Sequence, residues 1–163
     1  MQGILTAAVA VAGTLLGSAV TYWFQGKASK RAESFSFQQQ LRAERVIAYS
    51  DFAGAISQFS TAQDHRWFRK KEDPDSHASF DARIERDKLG SNAYHALTRV
   101  QLLADNADLI NAADMAYRLT SDLHHASSGD DLQHRAVMSS KALQDFIKIA
   151  SNDVQQSHSL SRR

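Results

Sequence analysis

The chemically densest stretch of the chain is "DHRWFRKKED", residues 64–73. It sets Arg66, Arg69, Lys70 and Lys71 around Trp67 and Phe68. Guanidinium and ammonium groups attract phosphates, and an aromatic face lets a base stack. Nucleic-acid binding through Arg66, Trp67, Arg69, Lys70 and Lys71 is therefore one reading, and docking of a protein partner is another. The third reading is structural. Basic residues at a helix end offset the dipole, Trp67 covers a core edge, and Glu72, Asp73 and Asp75 neutralise the charges. We favour the structural reading, in which Trp67 is largely buried against the third or fourth helix.

No other group of residues has the spacing of a reaction centre. The four glutamates, Glu33, Glu44, Glu72 and Glu85, are never followed three residues later by His, so the di-iron bundle pattern is missing. There is no H-E-x-x-H, no Gly-rich phosphate loop and no G-x-S-x-G elbow. His124 and His125 are adjacent, so on a helix they point ~100° apart and do not share a metal easily. The chain has no cysteine, which excludes disulfides and cysteine-based zinc sites. We expect a protein that is not an enzyme and uses no cofactor or metal.

The elements that carry the patch read as helix after helix. Strand signals are nearly absent, with one proline, Pro74, and no Asn-Gly or Asp-Gly dipeptide. Tyr49, Phe52, Ile56 and Phe59 step by 3, 4 and 3, which is one stripe of a helix. That first helix should run to Asp73, where Pro74 disfavours helical geometry, and Asp75 or Ser76 should cap the next. The second carries Leu89, Ala93, Leu97, Val100 and Ala104. Asp105 with Asp108 resembles a capping pair for the third, which shows Leu109, Ala113, Ala116, Thr120 and Leu123. Gly129 suits a left-handed cap at its end. The fourth shows Leu132, Ala136, Leu143, Phe146 and Ala150. Residues 151–163 have no stripe and read as a disordered polar tail.

Ahead of these lies a different kind of segment. Every residue from Met1 to Gly26 is uncharged, and Ile4 to Phe24 supplies 21 residues where ~20 span a bilayer. No Lys or Arg precedes the run, which argues against a cleaved signal. It is apolar all round, which argues against a core helix. We read residues 1–26 as a transmembrane anchor. Tyr22, Trp23 and Phe24 form an aromatic belt, and Lys27, Lys30 and Arg31 follow, which places the N-terminus outside and the rest in the cytoplasm. Gly13-x-x-x-Gly17, extended by Thr21, gives the span a face of small side chains on which two copies can pair.

The expected architecture is all-α. An N-terminal transmembrane helix continues into a long helix that packs in an antiparallel cytoplasmic bundle of about four helices, residues 27–150. The long helix exceeds its partners, so Phe35, Phe37 and Leu41 should stand exposed on a stalk, and pairing with a second copy would cover them. Charge is split along the chain, net +3 from Lys27 to Ala104 and net −4 from Asp105 to Ser161. This could let the halves, or two copies, attract each other.

The segments "AVAVAGTLLGSAVTYWFQ", "RAESF", "LRAERVIAYSDFAGA" and "EDP", with a looser Asp64, Arg66 and Trp67, resemble small actinobacterial membrane proteins labelled KilB-like. The likeness covers roughly residues 8–75, with a weaker echo at "RVQLLAD". It departs at Ser57 to Ala62, where more arginine is expected. The resemblance implies a single-span protein of the plasma membrane, accessory to conjugative plasmid spread. It supplies no active residues. The expected function is thus a non-enzymatic scaffold whose partners are the lipid bilayer, a second copy and other membrane or plasmid-transfer proteins. The alternative is a membrane-tethered module that binds nucleic acid through the patch at 66–71.

Overall fold

Short polar side chains decide where the second, third and fourth α-helices begin. The computed structural model describes the backbone of residues 2–160 and the side chains of residues 36–155. Helix α1 runs Gln2–Glu72 and ends one residue before the Asp73-Pro74 pair. The Ser76 side chain accepts the Ser79 N–H at 3.1 Å and starts α2, His77–Leu103. Helix α3, Ala107–Ser121, is capped by Asn106 and not by the expected Asp105 and Asp108 pair. Asn106 Oδ1 accepts the Asp108 N–H at 2.9 Å, while Asp105 is taken by Arg45. A 3-10 turn, Asp122–His125, follows, and α4 spans Gly129–Leu160. Gly129 is the first residue of α4 and not a left-handed cap, and no glycine among the described residues has positive φ. Ser128 Oγ accepts the Asp131 N–H at 3.1 Å and does the capping.

The chain divides into two units, Met1–Gln40 and Leu41–Arg163. The first belongs to α1 from Gln2 onward. The second is a helical bundle, and its pairings show that neighbours in sequence run antiparallel. Phe59 on α1 lies against Gly90 on α2, Asp51 against Arg99 at 2.8 Å, and Arg45 Nε donates to the Leu103 carbonyl at 2.7 Å. Progress down α2 thus retraces α1. Helix α3 returns, since Gln63 Nε2 reaches the Thr120 and Ser121 carbonyls at 3.2 and 3.0 Å. Helix α4 goes back again, and its Asp153 accepts the Tyr49 hydroxyl at 3.1 Å. Burial and the adjacent Asp153 carboxylate raise the Tyr49 pKa.

The core follows the stripes. Tyr49, Phe52, Ile56 and Phe59 are all buried, as are Leu109, Ala113, Ala116, Thr120 and Leu123. Leu89, Ala136 and Leu143 are only half-buried, and Ser139 and Ala142 sit at the centre of the α4 stripe instead. The Thr120 and Ser139 hydroxyls lie 2.7 Å apart. Thr120 donates to the Ala116 carbonyl, which leaves Ser139 to donate to Thr120. Residues 151–155 are helical where the missing stripe suggested disorder, because Val154 packs against the core and Asp153 holds Tyr49.

Among the described residues no helix is long and apolar enough to cross a membrane. The span expected at 4–24 lies outside the described side chains, as do Gly13, Gly17, Thr21 and Phe35. Of the residues expected on a stalk, Phe37 is 66% exposed, whereas Leu41 is half-buried and not the exposed residue expected.

Two glycines in helix interiors give opposite tests of the packing. A Cβ on exposed Gly54 meets nothing within 4 Å, whereas one on Gly90 would lie 2.9 Å from the Phe59 ring. Gly54→Ala should stabilise by about 0.5–1 kcal/mol through helix propensity alone. Gly90→Ala should destabilise by roughly 1 kcal/mol, because the buried Phe59 has to move and overpacking exceeds the propensity gain. Thermal unfolding followed by circular dichroism reads both signs. A rise in midpoint for Gly90→Ala would show that the ring yields freely.

Candidate nucleic-acid interface

The core stripe of α1 continues past Phe59 to Gln63, then to the adjacent Arg66 and Trp67, and then to Lys70. The last turns of α1 thus bring polar and basic groups to the end of the bundle where α3 passes into α4. Gln63 is 1% exposed, and its amide N–H groups satisfy the last carbonyls of α3. Its Oε1 is buried without a partner, as is Arg86 Nε on α2.

Trp67 is half-buried, less than expected. It packs against the connection before α4, where its indole N–H donates to the Ala126 carbonyl at 2.9 Å. Lys71 Nζ lies 4.7 Å from its ring centroid, a cation–π contact. Phe68 meets the ring edge-on with centroids 5.2 Å apart and is itself 54% exposed.

The acidic neighbours do not neutralise the patch as a set. Glu72 pairs with Arg69 at 3.1 Å, and Asp73 Oδ1 accepts the Asp75 N–H at 3.2 Å within the turn. Among the described residues no carboxylate forms an ion pair with Arg66, Lys70 or Lys71. Burial, and then the positive charges of Arg86 and Arg83 on α2, lower the Arg66 pKa, partly offset by Asp87. Arginine stays protonated regardless, so the shift reflects a guanidinium partly withdrawn from water and set near other cations. Asp64, the other acid of the stretch, is half-buried, and burial raises its pKa.

Two open clefts flank Gln63. One, of about 280 Å³, is lined by Arg66, Trp67, Lys70 and Lys71 from α1 and by His124 and Ser127 across from them. The other, of about 410 Å³, lies over Phe59 and Gly90 and is lined by Arg86, Tyr94, His95 and Tyr117. Gln63 and His124 belong to both. His124 sits on the 3-10 turn, with Nδ1 2.5 Å from the Ser121 carbonyl. A carbonyl only accepts, so Nδ1 carries the proton and Nε2 is left to accept or, when protonated, to donate. The His124 and His125 rings lie 3.8 Å apart. No group of three His, Asp or Glu among the described residues could hold a metal ion.

The arrangement can hold anions against fixed cations and lay flat groups against aromatic rings. Sequence reasoning found Arg66, Trp67, Lys70 and Lys71, and the structure brings these together. Arg69 turns to Glu72 and His65 instead and lines neither cleft. Gln63, Arg86, Tyr94, Tyr117 and His124 were not anticipated. Only Gln63 carried a signal, a polar residue on the apolar stripe.

The region from Val46 on α1 to Val154 on α4 is the folded bundle itself, and residues 46–154 match the family described as KilB plasmid transfer protein. The match begins after the first two segments that carried the resemblance, takes in most of the others and extends well past residue 75. No curated protein and no solved structure matches the chain. With its bundle matched from the first core turn of α1 to the last of α4, the chain belongs to the KilB plasmid transfer protein family.

Proposed function

We propose that the chain is a non-catalytic scaffold that acts in plasmid transfer from the membrane. Residues 1–26 anchor it in the plasma membrane in a single pass, with the N-terminus outside and the bundle in the cytoplasm. The family match over residues 46–154 carries this reading, since it assigns the bundle to a plasmid transfer protein while an uncharged run with a basic flank precedes it. The absence of any catalytic pattern in the sequence supports a role in holding partners rather than converting a substrate. Those partners are the bilayer, a second copy of the chain and other membrane or plasmid-transfer proteins.

Self-association follows from two features on α1. The Gly13, Gly17 and Thr21 face lets two backbones approach, and Phe35 and Phe37 supply apolar surface beyond it. Phe37 is largely exposed in a single chain.

Single cysteines at Gln2 and Ser157 test the topology. An impermeant thiol reagent should label Gln2→Cys and not Ser157→Cys in intact cells. The reverse pattern inverts the orientation, and labelling of both rules out a single pass. Crosslinking in the same membranes should trap a dimer in the parent chain. Gly13→Ile with Gly17→Ile should weaken it by ~1 kcal/mol, the modest strength of such contacts. A strictly monomeric parent chain removes the self-association.

A further inference from the structure

At the end of the bundle where α1 stops, two clefts follow one another across Gln63 and His124. Each combines positive charge with an aromatic wall. The first has Arg66, Lys70 and Lys71 beside Trp67. The second has Arg86 beside Tyr94, which is 55% exposed and lies 5.8 Å from Tyr117, centroid to centroid. The nearest acid in the second cleft is Asp87, which is 3.0 Å from Arg86 and 4.0 Å from Arg83. Asp87 is thus already engaged, and among the described residues no carboxylate forms an ion pair with the three cations of the first cleft.

We propose that this pair of clefts binds single-stranded nucleic acid. Phosphates lie against Arg66, Lys70 and Lys71 in the first cleft and against Arg86 in the second. Bases lie against the Trp67 and Tyr94 rings. Repetition of the same chemistry in two adjoining clefts suits a ligand that repeats, phosphate and base by turns. A single strand fits and a duplex does not, because paired bases keep their faces stacked inside the helix and offer only edges and backbone. The inference is independent of membrane anchoring, because every group involved lies in the bundle.

The full-length chain in mild detergent is titrated against fluorescein-labelled oligothymidylate, with anisotropy read across a salt series. Three to four phosphate contacts give a slope of log K against log salt of about −2 to −3 for a single strand. R66Q/K70Q/K71Q should weaken binding at least tenfold and flatten the slope by about 2. The single K70Q change should flatten it by about 0.7, which keeps the test valid if the triple variant is poorly folded. R118Q/K141Q/K148Q removes the same charge from exposed positions on α3 and α4 and should change neither quantity. Tyr94→Ala should cost about tenfold with the slope unchanged, since stacking releases no counterions. The proposal is overturned by absence of binding, by equal loss in both triple variants, by equal affinity for the duplex, or by preference for anionic lipid vesicles over the strand.

Discussion

Phe146→Ala is expected to lower the stability of the bundle by about 3–5 kcal/mol. Phe146 on α4 is 0% exposed. Its ring meets Phe52 edge-on at 4.8 Å and Tyr49 at 6.2 Å, both on α1. Truncation removes the transfer free energy of the ring, the edge-to-face contacts and the packing around the void. Its neighbours are ill placed to fill that void. The buried cluster that holds it is rich in alanines, among them Ala48, Ala142 and Ala150, which have no longer rotamer to swing inward. A domain of this size is typically stable by only about 5–15 kcal/mol, so the loss is a large fraction of the whole. In urea the midpoint should fall with an unchanged slope, the sign of lost stability without a change in exposed surface. Phe146→Leu should cost distinctly less. A loss below about 1 kcal/mol for the alanine variant would mean that the ring contacts of Phe146 with Phe52 and Tyr49 contribute little to the bundle.

The parts of this fold that were legible in the sequence are those set by period. Phe52, Ile56 and Phe59, or Leu109, Ala113 and Ala116, face one side because a helix repeats every 3.6 residues, and burial of that side follows. Helix ends were less legible, since a run such as "ADNAD" offers several side chains able to cap. Asn106 does so because Asp105 is held by Arg45, a partner 60 residues away. Gly129 was misread for a similar reason. The turn before α4 is closed by Ser127 and Ser128 with Asp131, so no left-handed glycine is required.

The candidate site divides along the same line. Arg66, Trp67, Lys70 and Lys71 share one helix, so their clustering was visible in the sequence. Their state of charge compensation was not. Glu72 pairs with Arg69, Asp73 accepts a hydrogen bond within the turn, and the carboxylate that does face the region, Asp87, arrives from α2 already engaged. Gln63 shows why a buried polar residue is hard to read. Its side chain belongs to the core stripe because its amide meets the ends of α3, 57 and 58 residues away.

Leu15→Arg with Leu16→Arg is expected to release the protein from the membrane. The two leucines stand near the middle of the uncharged run from Met1 to Gly26. An arginine at the centre of a spanning helix costs about 2.5–3.5 kcal/mol on insertion scales, and each lost leucine removes a few tenths more. Together the changes come to roughly 6 kcal/mol, enough to shift insertion by about four orders of magnitude. Arginine at Gln2 or Gln25 makes the control. Near the ends of the run a long side chain reaches the interface, so those variants should stay anchored. Alkaline carbonate extraction separates the outcomes. The parent chain and both end variants should remain with the membrane, and the Leu15/Leu16 variant should not. The thermal midpoint of the bundle should be the same in all four, because its described core begins at Ala48, far along α1 from the substitutions. A parent chain stripped off by carbonate, or a doubly charged variant that resists it, would remove the anchor from the proposed function while leaving the KilB bundle as it stands.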